Sequence, residues 1–288
     1  GSDTMTEQVM AAIDGSKFSE GVCDSAAWAS QALGAPLTFL HVVDNHPQTV
    51  EADLSGNIGL GSREHLLEEL SQLDEQRAKV AQEQGRLTLK AAKERAIEVG
   101  IAEPGTRQRN GTLVETLEEL QEEIRLLVIG KRGETAHQDS GHLGSNLERV
   151  VRTLHRPILM VPDTFKAPEA VMLAFDGSKT TRKGVEMLAK SPLFAGIPVH
   201  VVIIGAETGD NRSQLDWALK TLRDAGIDAE GAIRAGEVEA TLRAYQEEKG
   251  IDLLVMGAYG HSRIRHLLVG STTTGMLRKA KVPVLLLR

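Results

Sequence analysis

Apolar positions along this chain fall into two alternating kinds of run. Short stretches are aliphatic nearly throughout: VMAAI at 9–13, TFLHVV at 38–43 and LLVIG at 126–130. Longer stretches between them carry apolar residues at helical spacing, as in GDNRSQLDWALKTLRDAG, where Leu215, Leu219 and Leu222 share one face. Strands that are apolar on both faces, separated by amphipathic helices, predict a mostly parallel sheet covered on both sides. Right-handed crossovers then give an open doubly wound α/β sandwich.

The pattern is written twice. VMAAIDGS (9–16) returns as VMLAFDGS (171–178), and PLTFLHVV (36–43) as PVHVVIIG (198–205). LLVIGKRG (126–133) returns as LLVMGAYG (253–260), and HRPILMVP (155–162) as KVPVLLLR (281–288). Four matched segments in one order predict two copies of one domain, at 5–163 and 168–288, divided in PDTFKAPEA. In the second copy the strands are expected at 171–175, 199–205, about 230–234, 252–256 and 283–287.

The copies differ in length. The aspartates Asp14 and Asp176 are 162 residues apart but the glycines Gly130 and Gly257 only 127, so the first copy carries 35 more residues. The excess lies within about 45–100, a charged helical stretch that the sequence interrupts at Gly85. Leu66, Leu70 and Leu73 form an apolar stripe, and the pattern favours a helix packed on its own sheet over one that binds a partner.

Composition narrows the function classes. The 288 residues are 41% hydrophobic and carry a formal net charge of −7, with no basic tract, which argues against nucleic-acid or anionic-membrane binding. Aromatics are 3%, too few for a base-stacking platform. The one cysteine, Cys23, sits in an Ala-rich helical pattern and reads as a core thiol. The residues before Met5 read as a cloning scar, no signal-peptide pattern is present, and a cytoplasmic protein is expected.

Both Asp-Gly-Ser and a glycine-rich segment follow the carboxyl ends of strands, where open parallel sheets bind ligands. Gly257-x2-Gly260-x9-Gly270-Ser271 allows close backbone approach and places N–H groups at a helix start, beside the hydroxyls of Ser271, Thr272 and Thr273. His261, Arg263, Arg265 and His266 add positive charge. Three glycines alone would only turn a corner, but with a basic, hydroxyl-rich segment they point to phosphate. A Walker lysine motif and the dinucleotide fingerprint are absent. The histidine pairs His137/His142 and His261/His266 have no recognised zinc spacing. Ser16 and Ser178 read as helix N-caps, not nucleophiles.

The glycine spacing, the strand before it and the PVLLL strand after it resemble the ATP-binding signature of the universal stress protein (UspA) family, and the resemblance covers nearly the whole chain twice. It implies an adenine nucleotide alpha hydrolase-like fold with five parallel strands per domain, the two domains paired within the chain as a pseudo-dimer. It implies ATP with Mg²⁺ as ligand, with Asp176 and the backbone around Phe175 at the nucleoside end and Ile204 near the base. Met256, Gly257 and Gly260 would border ribose and phosphates, and Gly270, Ser271, Thr272 and Thr273 would hold the phosphates. Any metal ligands are left unassigned, and further self-association stays open.

The first copy departs from this pattern. Ten residues, not nine, separate Gly133 from Gly144-Ser145, and they include Glu134 and Asp139. Carboxylates near a polyphosphate oppose binding, with Lys131 and Arg132 offsetting part of that repulsion. The corresponding weaker set is Asp14, Val42, Gly130, Gly133, Gly144 and Ser145. Three functions fit: an ATP-binding stress protein acting through conformation or partners, a slow ATPase, autokinase or nucleotidyl transferase, and a scaffold without nucleotide. No positioned base or arginine finger is evident in the sequence, so any turnover should be slow.

Overall fold

The computed structural model describes residues 7–13, 20–44, 60–131, 145–258 and 271–288, without the side chains of residues 60, 145, 146 and 271–274. In the first half, β1 (Gln8–Ala12), α1 (Glu20–Leu33), β2 (Leu37–Val43), α2 (Leu60–Glu98) and β3 (Gly105–Asn110) are followed by α3 (Leu113–Leu120), β4 (Ile124–Gly130), α4 (Ser145–Thr153) and β5 (Ile158–Val161). The second half repeats the order with β6 (Val171–Ala174), α5 (Lys179–Lys190), β7 (Val199–Ile204), α6 (Gly209–Asp224), β8 (Ala229–Arg234), α7 (Val238–Lys249), β9 (Leu253–Gly257), α8 (Ser271–Lys279) and β10 (Val284–Leu287).

The described strands form a single ten-stranded sheet in the order β3-β2-β1-β4-β5-β10-β9-β6-β7-β8. Neighbours within each half are parallel. At the centre, β5 and β10 pair antiparallel, Val284 opposite Met160 and Leu286 opposite Ile158. These are short, wholly buried apolar strands whose bare edges would otherwise invite aggregation. The outer strands β3 and β8 are more polar, GTRQRN and AEGAIR, as sheet edges facing water require.

Side-chain alternation splits the core into two layers. Val171, Leu173, Val199, Val201 and Ile203 face α5 and α6, in a layer that also holds α1 and the end of α2. Met172, Val202, Leu254 and Met256 face α7 and α8, in the layer of α3 and α4. Cys23 lies within the first layer, and burial pushes its thiol up to about 12. Across the centre, the Trp28 ring of α1 lies 5.4 Å from that of Phe165 and 6.1 Å from that of Phe194, joining the halves.

The long helix departs from expectation twice. It runs unbroken for 39 residues through Gly85. A Cβ there would come within 2.7 Å of His41 Cε1, so the glycine is a close-approach point on β2, not a break. Only its later part packs on the sheet, through Gly85, Leu89, Ala92 and Ala96, and there Arg95 holds Asp24 of α1 at 2.7 Å. Residues 61–84 are exposed or half-buried throughout. The Leu66, Leu70 and Leu73 stripe therefore does not cover the protein's own sheet.

Candidate functional site

In each half the strand order reverses direction between two adjacent strands. The chain leaves β6 towards β7 and leaves β9 towards β10, although β6 and β9 are neighbours. Their connecting helices lie on opposite faces, so a crevice opens beyond the carboxyl ends of β6 and β9. Because β9 and β10 are parallel, α8 runs back against them and its N-terminus stands at that carboxyl edge. The N-terminus of α5 stands there for the same reason. Two helix N-termini, each with unpaired N–H groups and positive dipole ends, thus flank one crevice.

Asp176 is the second residue past β6 and is held firmly. Its Oδ1 accepts from the Ser178 amide at 2.9 Å and from the Thr181 hydroxyl at 2.8 Å. Ser178 caps α5 by accepting from the Thr181 amide. Between them Gly177 takes φ +73°, with Gln214 of α6 filling the space a side chain would need. Gly257 ends β9 beside this turn, where a Cβ would lie 3.5 Å from Thr180 Cγ2. The missing side chain keeps the strand end open towards the first turn of α5.

Phe175 contributes differently from its neighbours. Its ring is buried against Trp217, 6.3 Å between centroids, and Arg182 lies 4.9 Å above the Trp217 ring. Its amide donates to Val202 O at 2.9 Å. Its side chain is therefore part of the core, and its amide is used within the sheet. Ile204 ends β7 half-buried, and Met256 is buried one residue before Gly257. Ser271, Thr272 and Thr273 form the first turn of α8. Gly260 and Gly270 lie outside the described residues.

This repeated fold, with a reversal point in each half, is matched by the model of the "Universal stress protein family" at residues 5–162 and again at 169–288. The chain belongs to that family. Universal stress protein Slr1230 of Synechocystis is 40% identical over 286 residues, covering 98% of this chain and 100% of the relative. Universal stress protein Rv2005c of Mycobacterium tuberculosis is 25% identical over 200 residues, 62% of this chain and 66% of that protein. In fold, the chain resembles the crystal structure of a universal stress protein from Archaeoglobus fulgidus, with a TM-score of 0.64, 21% identity and coverage of 98% and 96%.

The first universal stress domain repeats the arrangement at β1 and β4. Gly130 ends β4 opposite Val161, Val42 is half-buried near the end of β2, and Ser145 opens α4. Asp14, Gly133 and Gly144 lie outside the described residues. Lys131, one residue past β4, reaches across to the second domain: its ammonium donates at 2.8 Å to the Ala280 carbonyl, just past α8.

Sequence reasoning missed Thr180, Thr181 and Gln214. The signal was present in DGSKTT, whose second threonine stands one helical turn beyond the capping serine. Gln214 carried no such signal, because its approach to Gly177 is tertiary. Among the described residues there is no group of three or more His, Cys, Asp or Glu side chains able to hold a metal, and no helix is long and apolar enough to cross a membrane.

Proposed function

We propose that this universal stress protein binds ATP in the crevice between β6 and β9, and works in the cytoplasmic stress response through nucleotide-dependent conformation or partner choice. The observation that carries the reading is the meeting of Asp176 and Gly257 at adjacent strand ends, flanked by the N-termini of α5 and α8. A carboxylate fixed by two donors suits the hydroxyls of a ribose. A bare strand end and a helix opening on Ser-Thr-Thr suit phosphates. Mg²⁺ would arrive with the triphosphate, since this ion keeps several waters and needs few protein ligands when phosphates supply oxygens.

Binding in the second domain should exceed that in the first, whose glycine segment is one residue longer and includes the acids Glu134 and Asp139. The test is mass spectrometry of small molecules released from purified, heat-denatured protein, followed by a phosphate-release assay. Co-purified ATP with at most slow turnover supports the proposal. Many turnovers would make the chain an ATPase, and absence of any nucleotide affinity would leave a scaffold.

A further inference from the structure

The outward face of α2 has no use in the nucleotide site, yet it is patterned. Leu66, Leu73, Val80 and Leu87 recur at intervals of seven. The last three are 48%, 57% and 50% exposed, and Leu66 is half-buried. The residues that pack on the sheet, Gly85, Leu89, Ala92 and Ala96, occupy the opposite side of the helix. A seven-residue repeat on one face is the spacing at which two helices stay in contact along their length. The stripe extends for about 32 Å, at about 1.5 Å per residue.

Charge along the same helix is segregated. Residues 63–75 carry five acids and one arginine, and residues 76–93 carry five basic residues and one acid. The division falls between Leu73 and Val80, at the midpoint of the apolar repeat. Two copies laid parallel would set acid against acid, with Arg77 facing its own counterpart. Two copies laid antiparallel set the acidic half of each against the basic half of the other, and bring Leu66 opposite Leu87 and Leu73 opposite Val80.

We propose that α2 is the self-association surface of this protein: a second copy of the chain docks on it antiparallel, through the Leu66, Leu73, Val80 and Leu87 stripe. The centre of symmetry lies between Gln76 and Arg77. This association is separate from the β5–β10 pairing inside each chain and does not depend on nucleotide.

Sedimentation of the whole chain across a concentration series tests it. The expected result is a reversible monomer–dimer equilibrium that the double variant Leu73→Glu, Val80→Glu weakens at least tenfold. Both side chains are exposed, so the variant should keep its circular dichroism spectrum and unfolding midpoint. Orientation is read by oxidative cross-linking. Leu73→Cys chains mixed with Val80→Cys chains should cross-link to each other, whereas Leu73→Cys chains alone should not, since their sulfurs would be separated by about seven residues of helix. Cys23 is buried and does not interfere. A chain that stays monomeric at every concentration, a dimer indifferent to the double variant, or cross-linking of Leu73→Cys with itself would each overturn the proposal.

Discussion

The ammonium of Lys131, one residue past β4, donates to the carbonyl of Ala280, 2.8 Å away and 149 residues further along the chain. It ties the loop that leaves the first domain's reversal point to the C-terminal end of α8, where a positive charge also suits the helix dipole. Lys131→Met should therefore lower the stability of the whole chain by about 1.5–3 kcal/mol, the range for a hydrogen bond to a charged group. Urea unfolding measures it, and an unchanged midpoint would show that the contact contributes nothing.

Gly85 supplies a test in which two local effects oppose each other. Helix propensity alone makes Gly→Ala in a helix interior favourable by about 1 kcal/mol. At this position the new Cβ would press on the buried His41 ring, so Gly85→Ala should instead destabilise by about 1–3 kcal/mol. Gly61→Ala, where nothing lies within 4 Å, should be neutral or slightly stabilising. Thermal unfolding of both variants decides it: if Gly85→Ala matches Gly61→Ala, the close approach to β2 is not real.

Acid should loosen the first domain through one ion pair. Arg107 binds Glu123 through two hydrogen bonds of 3.0 and 2.9 Å, and this holds the Glu123 carboxyl below its ordinary value of 4.5. A carboxyl whose folded value is depressed contributes stability above its unfolded value and loses it as pH falls through the folded one. Wild type should exceed Glu123→Gln in stability at pH 7, and the gap should close as pH drops below about 4.5. A gap independent of pH would mean the pair acts by packing alone.

Thr181→Val removes the hydroxyl that fixes Asp176 while keeping the shape of a buried side chain. On the account above, the fold survives and ATP affinity drops several-fold, because the carboxylate is no longer held in place. Calorimetry that finds equal affinity would make Asp176 a turn residue only.

The fold was readable because both kinds of apolar run survive translation into structure. Strands buried on two faces must be apolar throughout, so VMLA and LLVM announce β6 and β9 directly. Helix packing was less legible. Leu66, Leu70 and Leu73 show that α2 has an apolar face, but which partner covers it is a tertiary fact that periodicity does not carry. Gly85 misled for a related reason: a glycine that breaks a helix and one that admits a neighbouring ring look identical in sequence. At the candidate site, Asp176 and Gly257 were singled out from strand ends, glycine spacing and the family resemblance, and the fold puts them at the ends of neighbouring strands. The contact of Lys131 with Ala280 carried no sequence signal, because a long side chain's reach is decided by what the fold brings near it.

The central claim is that the second domain holds the working nucleotide site. Titration calorimetry with ATP on the wild type, Gly270→Asp and Gly144→Asp, each checked for an unchanged circular dichroism spectrum, tests it most directly. A carboxylate placed against a phosphate costs on the order of 1–3 kcal/mol, a tenfold or larger loss in affinity. The account predicts that Gly270→Asp removes most ATP binding and that Gly144→Asp changes it little. Greater damage from Gly144→Asp would place the site in the first domain, and no damage from either would contradict the claim outright.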